Sequence, residues 1–355
     1  MSSQRPHADV PGMKLPAPRT PDPAAAPGLR WGLLGAGWIA GQMAISLRGT
    51  AQQVVAVGSR DTQRAQAFVG EHVPGARAHG SYADLVADPD VDAIHVASPH
   101  SEHLEHALLA IRAGKHVLVE KPLAPTADEA AQIVAAAREA GVFCMEAMWT
   151  RFLPHIDVLR QVLDARMLGE VSTVLADHSI QLWPDGPERL ASPDLAGGAM
   201  LDLGVYPVSF AQMVLGDPAR VTAGGSTFPT GADAEAAVLL EFGEGRTATL
   251  NCSLRTELPG SARVFGTAGW IDVLPRFHHP QTIVLHRDGA DPETITRPQT
   301  GGGYAHELIE VTECLRAGRS ESAVMPLADT LVVQQVLGEA SAQLGVEHAE
   351  APGPV

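Results

Sequence analysis

Lysine is nearly missing from this chain: of 25 basic residues only Lys14, Lys115 and Lys121 are lysines, leaving 22 arginines. Arginine has been used wherever a generic positive charge suffices, so each surviving lysine asks for a reason. An arginine stays protonated in any protein setting, whereas a partly buried lysine shifts its pKa readily. Cysteine is scarce too. Cys144, Cys252 and Cys314 are odd in number, widely spaced and without metal-ligand spacing. That argues against a disulfide framework or a metal site and predicts inert thiols in a reducing, cytoplasmic compartment. Positive charge is in deficit, and a net charge of -16 disfavours nucleic acid or an anionic membrane as a partner. No apolar run is expected to approach the roughly 20 residues that span a bilayer.

What is there fits a globular protein with two domains of ordinary size: 355 residues, 45% hydrophobic and 19% charged. Residues 1–28 stand apart. They are rich in Pro and Ala, nearly charge-balanced and without the apolar core of a secretory signal. Such a segment buries too little apolar surface to offset its ordering entropy and is predicted to be a disordered extension.

From Arg30 to about Met148 short apolar runs alternate with Ala-rich helical patterns, the signature of a parallel α/β sheet. The division expected is a dinucleotide-binding Rossmann domain over 29–148 and a substrate-binding and oligomerisation domain over 149–345. A first strand over 29–34 runs into Gly35-Ala36-Gly37-Trp38-Ile39-Ala40 and then a helical segment to about Leu47. Gly35 and Gly37 allow a tight turn and the close approach of a pyrophosphate. Ala40 is small enough for the helix to pack on the sheet, and the helix start offers amide donors. A lone glycine pattern is weak, but this one opens the first strand–helix unit of the series.

The second strand, Val54 to Gly58, ends in Ser59-Arg60-Asp61, with Arg64 a turn later. An NAD site places a carboxylate here for the ribose 2′-hydroxyl, whereas a hydroxyl and guanidiniums suit a 2′-phosphate. NADP is therefore favoured, although Asp61 keeps NAD open by one residue of register, and Arg64 also reads as a solvated loop charge. A fourth strand, 93–97, leads into Ser98-Pro99-His100-Ser101-Glu102-His103, at the end of the sheet where ligands bind. His100 and His103 lack the companions a metal would need. They read equally as helix caps and as cofactor contacts.

The fifth strand, 116–119, delivers Glu120-Lys121-Pro122 to the same edge, where the proline stops the ladder and biases Lys121 to an extended backbone. A scarce lysine between a carboxylate and a proline suggests polarisation chemistry; a plain strand-terminal surface charge is the alternative. Past a strand at Phe143–Met145, the stretch Glu146 to Phe152 reads as the crossing between domains. Trp149 and Arg151 there are placed to help enclose a cofactor.

From Val171 onward period-two stretches dominate, at 171–180, 221–227, 234–242, 246–254 and 262–265. They predict an open, largely antiparallel sheet with one covered face. Helical patterns fall at 201–214, 304–317 and 327–344. Asp202 and Tyr206 are four apart and would share a helix face. Tyrosine is rare, with three in the chain. A phenol has a reference pKa of about 10, and a nearby ammonium lowers it, so Tyr206 beside Lys121 would make a general acid/base for a carbinol–carbonyl interconversion. Against this, a Tyr at a helix start is often core, and Asp202 is a possible cap. Trp183, Arg189 and Tyr304 are further substrate-side candidates in irregular segments.

Taken together these residues resemble the Gfo/Idh/MocA oxidoreductase family over roughly 30–345. The likeness rests on Gly35 to Ala40, Glu120-Lys121-Pro122 and the Asp202-x-Gly204-x-Tyr206 element. Glu146 to Pro154, Gly197 to Pro207 and Gly303-Tyr304 look like the branch holding dimeric dihydrodiol dehydrogenases and NADP-dependent xylose dehydrogenases. The resemblance implies a Rossmann domain followed by an α/β domain whose open sheet forms a homodimer or homotetramer face. It also implies a catalytic pair Lys121 and Tyr206 with Asp202 near the substrate. Ser98-Pro99-His100 stands where the family often has Thr-Pro-Asn, and tyrosine at 206, where many relatives carry histidine, points to the diol and sugar branch.

The function expected is NADP-dependent hydride transfer to or from a carbinol of a sugar, polyol or cyclic diol, with Tyr206 exchanging the hydroxyl proton. Lys121 is expected to bind the substrate oxygen and lower the phenol pKa, with Glu120 orienting it. The rivals are an NAD-linked inositol-type dehydrogenase and a dinucleotide-sensing regulator without turnover. The lysine–tyrosine pair speaks against the regulator.

Overall fold

Residues 14–297 and 300–348 are described by a computed structural model of the chain. Its first half runs β1 (Arg30–Leu34), α1 (Trp38–Ser46), β2 (Gln53–Gly58), α2 (Thr62–His72), β3 (Arg77–His79), α3 (Tyr82–Val86), β4 (Ala93–Val96), α4 (His103–Arg112), β5 (His116–Glu120), α5 (Ala127–Ala140) and β6 (Cys144–Ala147). The strands pair in the order β3-β2-β1-β4-β5-β6, all parallel. Strands such as β4 and β5 are buried at nearly every position because helices cover both faces. The order turns around beside β1. The C-terminal ends of β1 and β4 therefore splay apart into a crevice, as in doubly wound sheets that hold a dinucleotide.

The second half runs α6 (Pro154–Asp164), β7 (Val171–Ser179), α7 (Val205–Leu215), β8 (Arg220–Thr227), β9 (Asp233–Glu241), β10 (Thr247–Ser253), β11 (Ala262–Gly266), β12 (Gly269–Val273), β13 (Thr282–Arg287), β14 (Glu293–Thr296), α8 (Tyr304–Arg316) and α9 (Leu327–Gln343). Its eight strands are ordered β14-β13-β12-β11-β7-β10-β9-β8. Within this sheet, among the described strands, only β7 and β10 pair in parallel. The architecture is therefore α/β, a parallel Rossmann sheet followed by a largely antiparallel one. The period-two pattern puts Val174, Ala176 and His178 of β7 on the face that α7 covers. On the other face Leu175, Thr249 and Leu239 sit side by side across β7, β10 and β9, and both leucines are exposed. The last two helices return to the first half: α8 lies against α1, and α9 against α5 and β6.

Three expectations are corrected. Residues 14–28, read as disordered, are laid along the protein: Arg19 holds the Asp157 carboxylate through its backbone N–H (2.6 Å) and guanidinium (2.8 Å), and the Leu15 N–H donates to Glu293 at 2.9 Å. Ala26 is buried, and Gln52 Nε2 donates to the Pro27 carbonyl at 2.8 Å. Pinning by a few buried polar groups thus does what apolar burial could not. Residues 1–13 lie outside the described part. Secondly, the helical run Pro193–Leu215 is 23 residues long and apolar enough to cross a bilayer by length and composition, although no such run was expected. It is a core element, with 89% of its apolar window buried inside the protein. Thirdly, β12, β13 and β14 were not foreseen.

Candidate active site

The first half contributes loops at the carboxyl ends of its strands. Gly35 follows β1 with φ +109°, and a Cβ there would lie 2.8 Å from the Ala97 carbonyl oxygen, so the turn requires glycine. Gly37 precedes α1, and a Cβ on it would meet nothing within 4 Å. Its backbone therefore faces open space at the start of α1, whose first N–H groups have no side-chain cap. That is the setting a pyrophosphate needs. Ala40 is fully buried and the Trp38 side chain largely exposed; Ile39 is partly buried against the core.

At the end of β2, Ser59 is buried and Arg60 mostly exposed, its guanidinium 3.1 Å from Glu102. Arg64 leans over the glycine loop, donating to the Ala36 carbonyl at 3.3 Å. It is more than the solvated charge it resembled in sequence. The Asp61 carboxylate caps α2, accepting from the N–H groups of Gln63 and Arg64.

The Ser98–His103 loop is tied down internally. His103 is fully buried, with Nδ1 2.9 Å from the Pro122 carbonyl and Nε2 3.0 Å from that of Ser98. It ties this loop to the lysine loop instead of capping α4 or presenting a nitrogen to a ligand, which corrects both readings of it. Ser98 Oγ is 2.8 Å from His106 Nδ1. Pro99 leads into the turn that carries His100. The His100 ring reaches across to the second half, Nδ1 being 3.0 Å from the Ala196 carbonyl and Nε2 3.9 Å from Asp202 Oδ1. Burial and the neighbouring His103 push His100 down to about 3, so it is neutral.

Lys121 emerges at the end of β5 and spans the gap. Its Nζ donates to the Asp202 carbonyl oxygen at 2.7 Å and lies 3.5 Å from Asp202 Oδ1. Arg189 approaches the same oxygen at 3.6 Å. Burial would raise the Asp202 carboxyl, but the charges of Lys121 and Arg189 hold it down, at about 2. Asp202 is no helix cap; it sits in a π-turn, Met200–Gly204, that precedes α7. Pro207 has no N–H to return to the carbonyl four residues earlier, which favours such widening.

Tyr206 follows one turn later, and the geometry corrects its expected partnership. The Lys121 ammonium is 5.0 Å from the centroid of the phenol ring, over its face. The phenol oxygen accepts from Trp149 Nε1 at 3.0 Å. Burial pushes this phenol well above its ordinary pKa, opposite to the lowering expected from the lysine. Trp149 is itself stacked on Tyr304, with ring centroids 4.4 Å apart. Two further roles are corrected. Glu120 faces His95, 2.9 Å from its Nε2, and not Lys121. Arg151 is buried, and its guanidinium is taken up by protein acceptors, donating to Ser209, Gln212 and Asp329.

Sequence reasoning missed Glu146 and two histidines. Glu146 is fully buried at the end of β6, accepting from the Leu123 N–H at 3.1 Å and from Thr330 Oγ1 at 2.9 Å. It fixes the backbone just past Lys121. His178 and His278 pack on Tyr206 at ring-centroid distances of 5.0 and 5.4 Å. They come from segments a hundred residues apart in sequence, and only the fold joins them. Among the described residues no cluster of His, Cys, Asp or Glu could hold a metal ion.

A Rossmann sheet with an open glycine cradle, facing a second domain that supplies an acid, a phenol and an aromatic wall, defines a nicotinamide-dependent dehydrogenase. Comparison with known proteins agrees. Residues 29–148 match the oxidoreductase family with NAD-binding Rossmann fold, and residues 156–272 match the GFO/IDH/MocA C-terminal domain. The chain belongs to the Gfo/Idh/MocA family and is an NAD(P)-dependent dehydrogenase. It is 36% identical over 329 residues to trans-1,2-dihydrobenzene-1,2-diol dehydrogenase of Mus musculus, covering 90% of this chain and 97% of that one. A 3-ketoreductase from Actinomadura kijaniata, solved with NADP and TDP-benzene, superposes with a TM-score of 0.77 at 26% identity, over 89% of this chain and 98% of the other. Aldose-aldose oxidoreductase from Caulobacter crescentus, solved with glycerol, superposes with a TM-score of 0.79 at 25% identity, over 90% and 98%.

Proposed function

We propose that this chain is an NADP-dependent dehydrogenase acting on a carbinol of a sugar, polyol or cyclic diol. The observation that carries this reading is the meeting of Lys121 with Asp202 and Tyr206 across the two sheets, at the carboxyl edge from which the glycine loop also leaves. The diol and sugar chemistry in the names of its relatives supports the substrate class.

The nicotinamide, when bound, supplies or takes the hydride. The chain's own residues handle the rest. Lys121, with Asp202 taking part of its charge, hydrogen-bonds the substrate oxygen and stabilises negative charge as it develops there. Tyr206 carries the proton. A phenol with a raised pKa is protonated at rest, so it gives its proton to the oxygen during carbonyl reduction and must be relieved of it before carbinol oxidation. Trp149 fixes the phenol oxygen by its N–H, and the Trp149–Tyr304 stack excludes water on that side.

For the cofactor, Ser59, Arg60 and Arg64 form a donor group around the end of β2, while the Asp61 carboxylate is engaged by α2. That favours a 2′-phosphate over a free ribose hydroxyl. Ser98, Pro99 and His100 follow β4 at the carboxyl edge of the sheet and would line the nicotinamide side of the crevice. The exposed row Leu175–Thr249–Leu239 is the face through which two or four copies would associate. Three buried, unpaired thiols suit the cytoplasm.

The test is a screen of aldoses, inositols and cyclic or aromatic diols with NADP and NAD, alongside fluorescence titration of the reduced cofactors. NADP-linked turnover on at least one polyhydroxylated substrate is expected. Tight NADPH binding with no oxidation across the panel would instead make the chain a dinucleotide sensor.

A further inference from the structure

Two imidazoles lie beside the Tyr206 phenol, and the mechanism just given leaves both unused. His178 stands at the last turn of β7 on the covered face of the sheet, its ring edge-on to Tyr206 at 89°. The ring of His278, from the loop after β12, lies 4.0 Å from it at 36°. That loop is held in place by Thr150 Oγ1, which donates to the His278 carbonyl at 2.6 Å.

His178 is 3% exposed, and among the described residues its ring nitrogens make no hydrogen bond, yet they are not sealed off as the Nδ1 of His278 is. A polar group in a nearly buried side chain needs a partner, and one that keeps an open edge beside a reaction centre can take it from a bound ligand. His278 differs, its Nδ1 being sealed in the core without a partner. Burial and the Lys121 ammonium hold His178 down at about 3, so the ring stays neutral through the physiological range. A neutral imidazole has one N–H donor and one lone-pair acceptor, which matches the one donor and two acceptors of a hydroxyl. The reacting oxygen is already provided for by Lys121 and Tyr206. What His178 can add is a hydroxyl on a neighbouring carbon.

We propose that His178 is a substrate-binding residue that hydrogen-bonds a second hydroxyl adjacent to the reacting carbinol, and that it selects vicinal diols and polyols over mono-alcohols. His278, packed against it, fixes the ring plane and lines the same wall. This rests on the dehydrogenase reading above and sharpens its substrate class: the wall beside the phenol carries a polar group, and a bare aromatic or alkyl surface presented to it would leave the His178 imidazole unsatisfied. Failing to pair such groups costs more than a lost contact does, so the discrimination is asymmetric.

The test compares wild type with His178→Phe, which keeps the flat ring against Tyr206 and His278 but removes both nitrogens, and with His178→Asn, which restores a donor and an acceptor. The substrate pair is trans-1,2-cyclohexanediol and cyclohexanol, or an aldose and its deoxy form at the carbon next to the reacting one. NADPH affinity serves as the control for folding. We expect kcat/KM for the diol to fall about tenfold or more in His178→Phe, kcat/KM for the mono-alcohol to hold or rise, and His178→Asn to recover part of the loss. An equal fall on both substrates, or none on the diol, overturns the inference while leaving the dehydrogenase intact. Should wild type turn over no diol or sugar at all, the parent reading fails and takes this one with it.

Discussion

The Lys121 ammonium faces the ring of Tyr206 at 5.0 Å, while the Tyr206 oxygen is held by Trp149 Nε1 at 3.0 Å. The lysine therefore meets the phenol at its π-face and is not a hydrogen-bonded partner of the hydroxyl, which leaves its ammonium free for the substrate oxygen in the proposed mechanism. A cation over the ring favours the phenolate only weakly, and burial outweighs it.

This arrangement predicts different pH profiles for the two directions. Carbonyl reduction should be flat from about pH 6 to 9, because the phenol remains a proton donor throughout. Carbinol oxidation should climb steadily with pH and reach no plateau below about pH 10, the ordinary phenol value. Tyr206→Phe should lower turnover about a hundredfold or more and abolish that climb. Lys121→Met should lower turnover comparably in both directions while NADPH fluorescence titration still shows binding. Near-native rates in both variants would take the pair out of the mechanism.

Cofactor choice gives an independent check. Arg60→Ala and Arg64→Ala should each weaken NADPH binding about tenfold and leave NADH nearly unchanged, since only a 2′-phosphate engages the guanidiniums. Asp61→Asn retains the cap of α2, so it should be neutral towards both cofactors. If Asp61→Asn instead weakens NADH selectively, the carboxylate is serving a ribose hydroxyl and the preference for NADP is wrong.

Much of this site was legible in the residues before any coordinates. The apolar runs of β1, β4 and β5 identify a parallel sheet because strands buried on both faces need no alternation. Gly35, Lys121, Asp202 and Tyr206 stand out because each residue type is unusual in its place. The failures have physical causes. Arg151 in a Trp-Thr-Arg-Phe stretch looks like a cleft charge, but only tertiary packing shows its guanidinium saturated by Ser209, Gln212 and Asp329. The strands β12 to β14 are short and separated by the Pro- and His-rich 275–280 and the turn-forming 288–292, which blur the period. A phenol's pKa depends on burial, which a one-dimensional pattern does not carry.

Glu146 allows a test of how the Lys121 loop is held. Burial raises its carboxyl from an ordinary 4.5 to about 7. Because the folded value is the higher one, the native state holds the proton more tightly. The associated stability is complete below about pH 4.5 and drains away as pH rises through 7. The full difference is roughly 3 kcal/mol at most. Glu146→Gln mimics the protonated acid: its oxygen still accepts from the Leu123 N–H, and its amide can donate to the Thr330 hydroxyl. Urea unfolding at pH 5, 6, 7 and 8 should show the variant gaining on wild type as pH rises. A constant gap would mean that the native carboxyl is ionised throughout.

The strap at residues 14–28 hangs on Asp157, a carboxylate in the first turn of α6 that is buried while its partner Arg19 is more than half exposed. Exposure and screening limit the Arg19 charge, so Arg19→Ala should cost no more than about 1 kcal/mol. Asp157→Ala removes the acceptor for the Arg19 N–H, the Arg19 guanidinium and Gln161 Nε2 together, and about 2 kcal/mol is expected. The more direct measurement is limited trypsinolysis followed by mass spectrometry. Cleavage after Lys14 and Arg19 needs the local chain to lift off, so wild type should resist it and Asp157→Ala should be cut many times faster, with the remainder of the protein intact. Equal and rapid cleavage of both would return this segment to the disordered state that its Pro- and Ala-rich composition suggests.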